Sequence, residues 1–244
     1  MKMGLRTYAR VQGQLDLKLK ATQSSMWKNN SHRKYWETLA SKANLELKNS
    51  DTICETMREK YFKVNSGSFD GKMKHLRMAE YNVYTDGSRL EGNCGAGYSI
   101  YKYKSMVTSN SINLPTTSTV FQAEIIGIKL ACEEMVKMYA DKPFKYVKIY
   151  SDSQAAIAAI DSSEVTSQAV LDTKVALNSL AKLTRNTVLV WIKAHVGHQG
   201  NEVADEMAKQ GTTSSNNIKV GIPCLLYTSP SPRDLSTSRM PSSA

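Results

Sequence analysis

The sequence lacks any apolar run long enough to cross a bilayer, and its opening stretch, MKMGLRTYAR, lacks the apolar core of an export signal. Those two absences argue against a helical membrane protein and an exported one, and predict an intracellular protein of cytoplasm or nucleus. Cysteine is sparse: Cys54, Cys94, Cys132 and Cys224 stand far apart with no C-x-x-C pair. A zinc ribbon or a disulfide framework needs closer or paired spacing, so reduced thiols are expected. No internal repeat is present, which removes the solenoid and propeller architectures. An acidic excess is also missing, the formal net charge being +10.

What is present is ordinary globular composition over 244 residues, 41% hydrophobic and 22% charged, enough for one solid core with an appendage. The charge is unevenly placed. Residues 1–80 hold 16 Lys+Arg against 8 Asp+Glu, whereas residues 81–211 hold 13 of each. The basic excess therefore sits in front of the segment with the richer pattern, where it can attract a polyanion. Residues 1–79 read as a basic connector with short helices: in KYWETLASKANLELKN, Tyr35, Leu39 and Ala43 recur at helical spacing. Val64 to Gly71 reads as turn chemistry. Residues 212–223 read as a flexible truncated end. Residues 224–244, CLLYTSPSPRDLSTSRMPSSA, read as a translated sequencing adaptor, because both ends of that stretch and the spacing between them match adaptor codons.

Between residues 80 and 211 the periodicity sharpens. EYNVYTDGS ends at a turn, GAGYSIYKYK alternates in period two, and SMVTSNSINL extends a third strand. STVFQAEIIGIKLACEEMVKMYA is an amphipathic helix with Ser118 or Thr119 as its cap. KYVKIYSDS is a strand, QAAIAAIDS and TSQAVLDTKVALNSLAKLT are helices, NTVLVWIKAH is the last strand, and GNEVADEMAKQG is a closing helix. This order predicts an α/β layout around one mixed sheet.

Four acids fall at element ends: Asp86 closing the first strand, Glu124 in the first turns of the long helix, Asp152 after the fourth strand, and Asp205 in the last helix. Singly, each has a plain reading. Asp86 suits a turn, Glu124 a helix dipole, Asp152 a helix cap, and Asp205 an i,i+4 pair with Lys209. Together, ends of adjacent strands and helix starts can converge on one cleft. Four acids so placed would repel unless cations neutralise them, and hard oxygen ligands favour Mg2+ or Mn2+. Two such ions are suited to phosphodiester hydrolysis.

YTDGS, FQAE, YSDS and WIKAHVGHQGNEVADEMAK, in this order and spacing, resemble the type I ribonuclease H family over residues 81–211. The nearest version is the domain fused behind the reverse transcriptases of non-LTR retrotransposons. The resemblance implies a ribonuclease H-like fold: a five-stranded mixed sheet, its first three strands antiparallel and strands 4 and 5 parallel to strand 1, flanked by helices. It implies an endonuclease cutting the RNA strand of RNA–DNA hybrids, with two Mg2+ ions (Mn2+ an alternative) held by Asp86, Glu124, Asp152 and Asp205. His195 matches a mobile histidine that assists proton transfer or product departure, and His198 falls at a recurrent position. Gly87 and Ser88 match backbone contacts to the hybrid. Asn201, counted with them as substrate-binding, and Glu202 match positions that orient the last helix or the metal surroundings. Implied partners are the hybrid and a reverse transcriptase domain of the same polyprotein, although no Y-x-D-D polymerase core occurs here. The alternative is a catalytically silent nucleic-acid tether. One departure stands out: many cellular members carry a basic, Trp-bearing helix and loop between strands 4 and 5. Here residues 161–186 offer one helix with Lys174, Lys182 and Arg185.

Overall fold

The structure, a computed structural model, describes residues 51–65, 79–194 and 197–223. The helical pattern around Tyr35–Ala43, most of the turn stretch after Val64, His195 and the Ser/Pro tail at 224–244 lie outside the described residues. Asp51–Ile222 form one unit. Its elements are β1 (Thr52–Thr56), β2 (Lys63–Asn65), β3 (Tyr81–Leu90), β4 (Asn93–Lys102), β5 (Ser105–Leu114), α1 (Val120–Asp141), β6 (Tyr146–Ser151), α2 (Gln154–Asp161), β7 (Glu164–Ser167), α3 (Gln168–Leu183), β8 (Asn186–Trp191) and α4 (Gln199–Gly211).

The five strands expected from the motifs are β3, β4, β5, β6 and β8, and they run as expected. β3, β4 and β5 form an antiparallel meander, β6 lies parallel to β3, and β8 lies parallel to β6. Among the described residues the sheet has six strands rather than five, in the order β2-β8-β6-β3-β4-β5. The sixth, β2, comes from the segment read as a helical connector and pairs parallel to β8. β1, from the same segment, pairs antiparallel with β7 between α2 and α3. Both strands are short and β1 is mostly exposed, so neither has an alternating pattern to announce it. The end read as flexible is tied down as well. Asn113 takes a bond from the Ile218 amide and gives its own to Asn216, while the Gln122 side chain donates to the Gly221 carbonyl.

Helices cover both faces of the meander. α1 starts with a reciprocal cap, Thr119 accepting from the Gln122 amide and Gln122 accepting from the Thr119 amide. Its Ile125, Ile128, Ala131, Cys132 and Met135 are buried in one cluster with Val83 and Ile100 of the sheet. α4 lies on the opposite face, directly against the backbone of β4. A Cβ on Gly97 would stand 2.3 Å from the Ala208 amide nitrogen, which no side chain can do. Glycine is therefore what allows α4 to seat so closely, and that seating fixes where the acids of α4 point. Lys174, one of the three basic residues noted between strands 4 and 5, is buried, and its ammonium donates to the Ser162 carbonyl at the end of α2.

Candidate active site

The strand ends and helix starts bring three of the four acids together. Asp86, Glu124 and Asp152 each offer a carboxylate oxygen, all within 4.8 Å of one another. Asp86 projects from β3 toward the α4 side. The next residue, Gly87, faces α1, and a Cβ there would lie 2.6 Å from the Glu124 amide nitrogen. Glycine at 87 thus lets β3 and the first turn of α1 meet, which carries Glu124 to Asp86. The Gly87 amide donates to Asp86 Oδ1 at 2.7 Å, so its N–H already serves the carboxylate. Ser88 stands half-buried one step further along β3, opposite Gly95.

Asp152 follows β6 and is fixed by two partners. Trp191 Nε1 donates to its carbonyl at 3.0 Å, and Asn201 Nδ2 donates to its Oδ2 at 3.3 Å. Asn201, expected against substrate or orienting the surroundings of the metal, is buried with its side chain turned to Asp152. Asp205 stands apart from the trio. Its Oδ2 is held by Lys209 Nζ at 2.6 Å, the i,i+4 pair read in the sequence, while its charge still bears on Asp86. Glu202 is exposed in the first turn of α4, where a negative charge suits the helix N-terminus. His198 caps α4 with its carbonyl, which accepts from the Asn201 and Glu202 amides.

The electrostatics of the trio call for a cation. Burial, and then the neighbouring Asp152, push the Asp86 carboxyl up to about 7. Burial, and then Asp86, push Glu124 up to about 10. Among the described residues no lysine or arginine pairs with any of the three. Glu124 Oε2 and Asn201 Oδ1 are buried with no hydrogen-bond partner. Carboxylate and amide oxygens left in this state fit a hard divalent ion, which takes oxygen ligands and offsets the charge that burial penalises. The donor set therefore fits a divalent metal.

Sequence reasoning placed the acids and singled out Asn201, but missed Trp191 and did not say which acid either residue holds. The Trp191–Asp152 and Asn201–Asp152 bonds join residues 39 and 49 positions apart, and no local pattern encodes such a contact.

The arrangement is a carboxylate cluster suited to a divalent cation, set at the ends of parallel strands in an α/β sheet. A family model for RNase H matches residues 78–213, more than half of the chain, and the chain belongs to the RNase H family; its activity class is that of a ribonuclease H. RNase H1 from the halophilic archaeon Halobacterium salinarum is similar in structure, at 18% identity over 54% of this chain and 96% of that one, with a TM-score of 0.41. The N-terminal RNase H domain of a Mycobacterium tuberculosis protein, solved as a fusion with maltose binding protein, is similar at 18% identity over 54% of this chain and 98% of that one, with a TM-score of 0.43. No curated protein matches the chain. No helix among the described residues is long and apolar enough to cross a membrane.

Proposed function

We propose that this domain hydrolyses the RNA strand of RNA–DNA hybrids with two divalent cations, Mg2+ foremost, and that it serves a retrotransposon polyprotein beside a reverse transcriptase. The observation that carries the chemistry is the meeting of Asp86, Glu124 and Asp152 within 4.8 Å, with a buried Glu124 oxygen that nothing else satisfies. In this reading those three acids and Asp205 hold the metals. Bound divalent ions supply Lewis-acid stabilisation of the attacking and leaving oxygens at the scissile phosphate. Gly87 keeps the Asp86 carboxylate oriented, and Asn201 and Trp191 do the same for Asp152. His195, four residues after β8 in the sequence, serves proton transfer or product departure, a task suited to imidazole chemistry. Ser88 and the Gly87 backbone lie along the hybrid, where the 2′-hydroxyl separates RNA from DNA.

The polyprotein setting is supported by the sequence alone: the motif set, and the basic leader before it. A silent tether would not need to keep three clustered acids in mutual repulsion, and their retention favours the enzyme.

The test is cleavage of a labelled RNA–DNA hybrid by wild type, Asp86→Asn and Asp152→Asn in Mg2+. Wild type should cut, EDTA should stop it, and each variant should lose activity while keeping its circular dichroism. Cleavage retained in Asp152→Asn would reject the metal assignment.

A further inference from the structure

Glu124 is the one acid of the trio carried by a helix, and among the described residues no side chain outside the trio bonds its head group. One of its carboxylate oxygens is buried without a partner, so its aim is set by the backbone of the first turn of α1. Three contacts hold that turn. Gly87 presses it from β3. Thr173 of α3 donates its hydroxyl to the Ile125 carbonyl at 3.1 Å. The third reaches beyond the segment that matches the family, residues 78–213. Gln122 Nε2 donates to the Gly221 carbonyl at 2.9 Å. The neighbouring Ile222 carbonyl accepts the Asp51 amide at 2.8 Å. The buried Asp51 carboxylate in turn accepts the Ala169 amide at 2.9 Å and the Ser167 hydroxyl at 2.7 Å at the start of α3.

We infer that Gln122 is a positioning residue for the reaction. Through Gly221 it clasps the first turn of α1 to the two ends of the unit, and this clasp aims the Glu124 carboxylate at the metal site. The inference rests on the metal-nuclease reading above. Gln122 has two roles that chemistry can separate. Its Oε1 closes the helix cap by accepting the Thr119 amide at 3.1 Å, and its Nε2 makes the clasp. Gln122→Glu keeps an acceptor for the cap, since glutamate is the usual residue at that capping position, but cannot donate to Gly221. Gln122→Met removes both contacts at similar volume without adding charge.

The full chain and both variants are compared in two ways: by hybrid cleavage, separating kcat from KM, and by binding of Mn2+ alone, followed by electron paramagnetic resonance without substrate. Residues that orient metal ligands from behind cost about 10- to 100-fold in affinity or activity when removed. Both variants are expected to lose about tenfold in kcat and several-fold in Mn2+ affinity, with KM for the hybrid unchanged. If Gln122→Glu matches wild type while Gln122→Met does not, the cap is responsible and the clasp is rejected. If neither variant changes, the inference is rejected outright. Should Gln122→Glu fail to fold, Gln122→Met carries the test alone, and wild-type kcat and Mn2+ affinity in it would overturn the inference. A wild-type protein that neither cuts hybrid nor binds Mn2+ would instead reject the metal-nuclease reading itself.

Discussion

Asp86 and Glu124 are carboxyls that the folded chain keeps protonated well above their ordinary range, and the direction of the effect can be followed in stability. Each folded pKa lies above its unfolded value, so the metal-free fold binds more protons than the unfolded chain. The stability these groups contribute is complete below about pH 4, near their unfolded values, and is lost as pH rises through about 7 for Asp86 and on toward about 10 for Glu124. In EDTA the melting temperature should therefore fall between pH 5 and pH 9, and fall less in Asp86→Asn, which cannot ionise. Added Mg2+ should raise it more at the alkaline end. A flat profile in EDTA would mean that the trio is not under electrostatic strain. His195 belongs to the same scale. His195→Ala is expected to lower kcat by roughly 10- to 100-fold with little change in the Mg2+ midpoint, as befits acid–base assistance rather than ligation. A displaced midpoint would place the imidazole among the metal ligands instead.

Among the elements, β2 is one of three that the motifs did not foretell, and its attachment can be tested at one residue. The Asn178 side chain on α3 accepts the Tyr61 amide at 2.9 Å and donates to the Glu59 carbonyl at 2.9 Å, holding the stretch between β1 and β2 against the domain. Asn178→Ala would leave both backbone groups unpaired and should cost about 1–3 kcal/mol, read by urea denaturation. KM for the hybrid should not move, since the Asn178 amide serves this stretch and none of the acids. The elements from β3 to α4 were legible because each is long and strongly periodic: β3 buries Tyr81, Val83 and Thr85 in alternation, and α1 buries a helical stripe. β1, β2 and β7 were not, because strands of three to five residues take their identity from partners more than a hundred positions away. The acids could be read from their places at element ends. The Asp205–Lys209 pair was legible too, from its i,i+4 spacing; that Asp205 would stand apart while the other three converge was not, because it depends on how α4 sits on Gly97.

For the whole molecule the charge balance is the guide. The motif-bearing domain is neutral, and between β6 and β8 Lys174 is buried, which leaves Lys182, 4.6 Å over the Tyr61 ring, and Arg185 as the exposed cations there. The described residues 51–65 add three acids and three bases, so the excess of the leader resides mainly in residues 1–50, with ten Lys+Arg against three Asp+Glu. Removing residues 1–50 should raise KM for the hybrid far more than it lowers kcat. It should also flatten the salt dependence of binding, because each phosphate that the leader neutralises adds about 0.9 to the slope of log K against log salt on duplex DNA. Equal slopes with and without the leader would reject it as the polyanion grip. Removing residues 224–244, by contrast, should leave melting temperature and cleavage as they were, and a marked loss in either would make that tail part of the working protein.

The 2.8 Å bond from the Asp51 amide to the Ile222 carbonyl closes the unit on itself, so chain enters and leaves it side by side. A module of that shape behaves like a bead clipped onto a string. It can be set into a longer polypeptide without forcing the flanking segments apart, and new ends can be cut elsewhere once the old ones are joined. A short glycine linker between positions 51 and 222, with fresh ends opened at the exposed Glu91–Gly92 turn, should give a permuted domain that still folds.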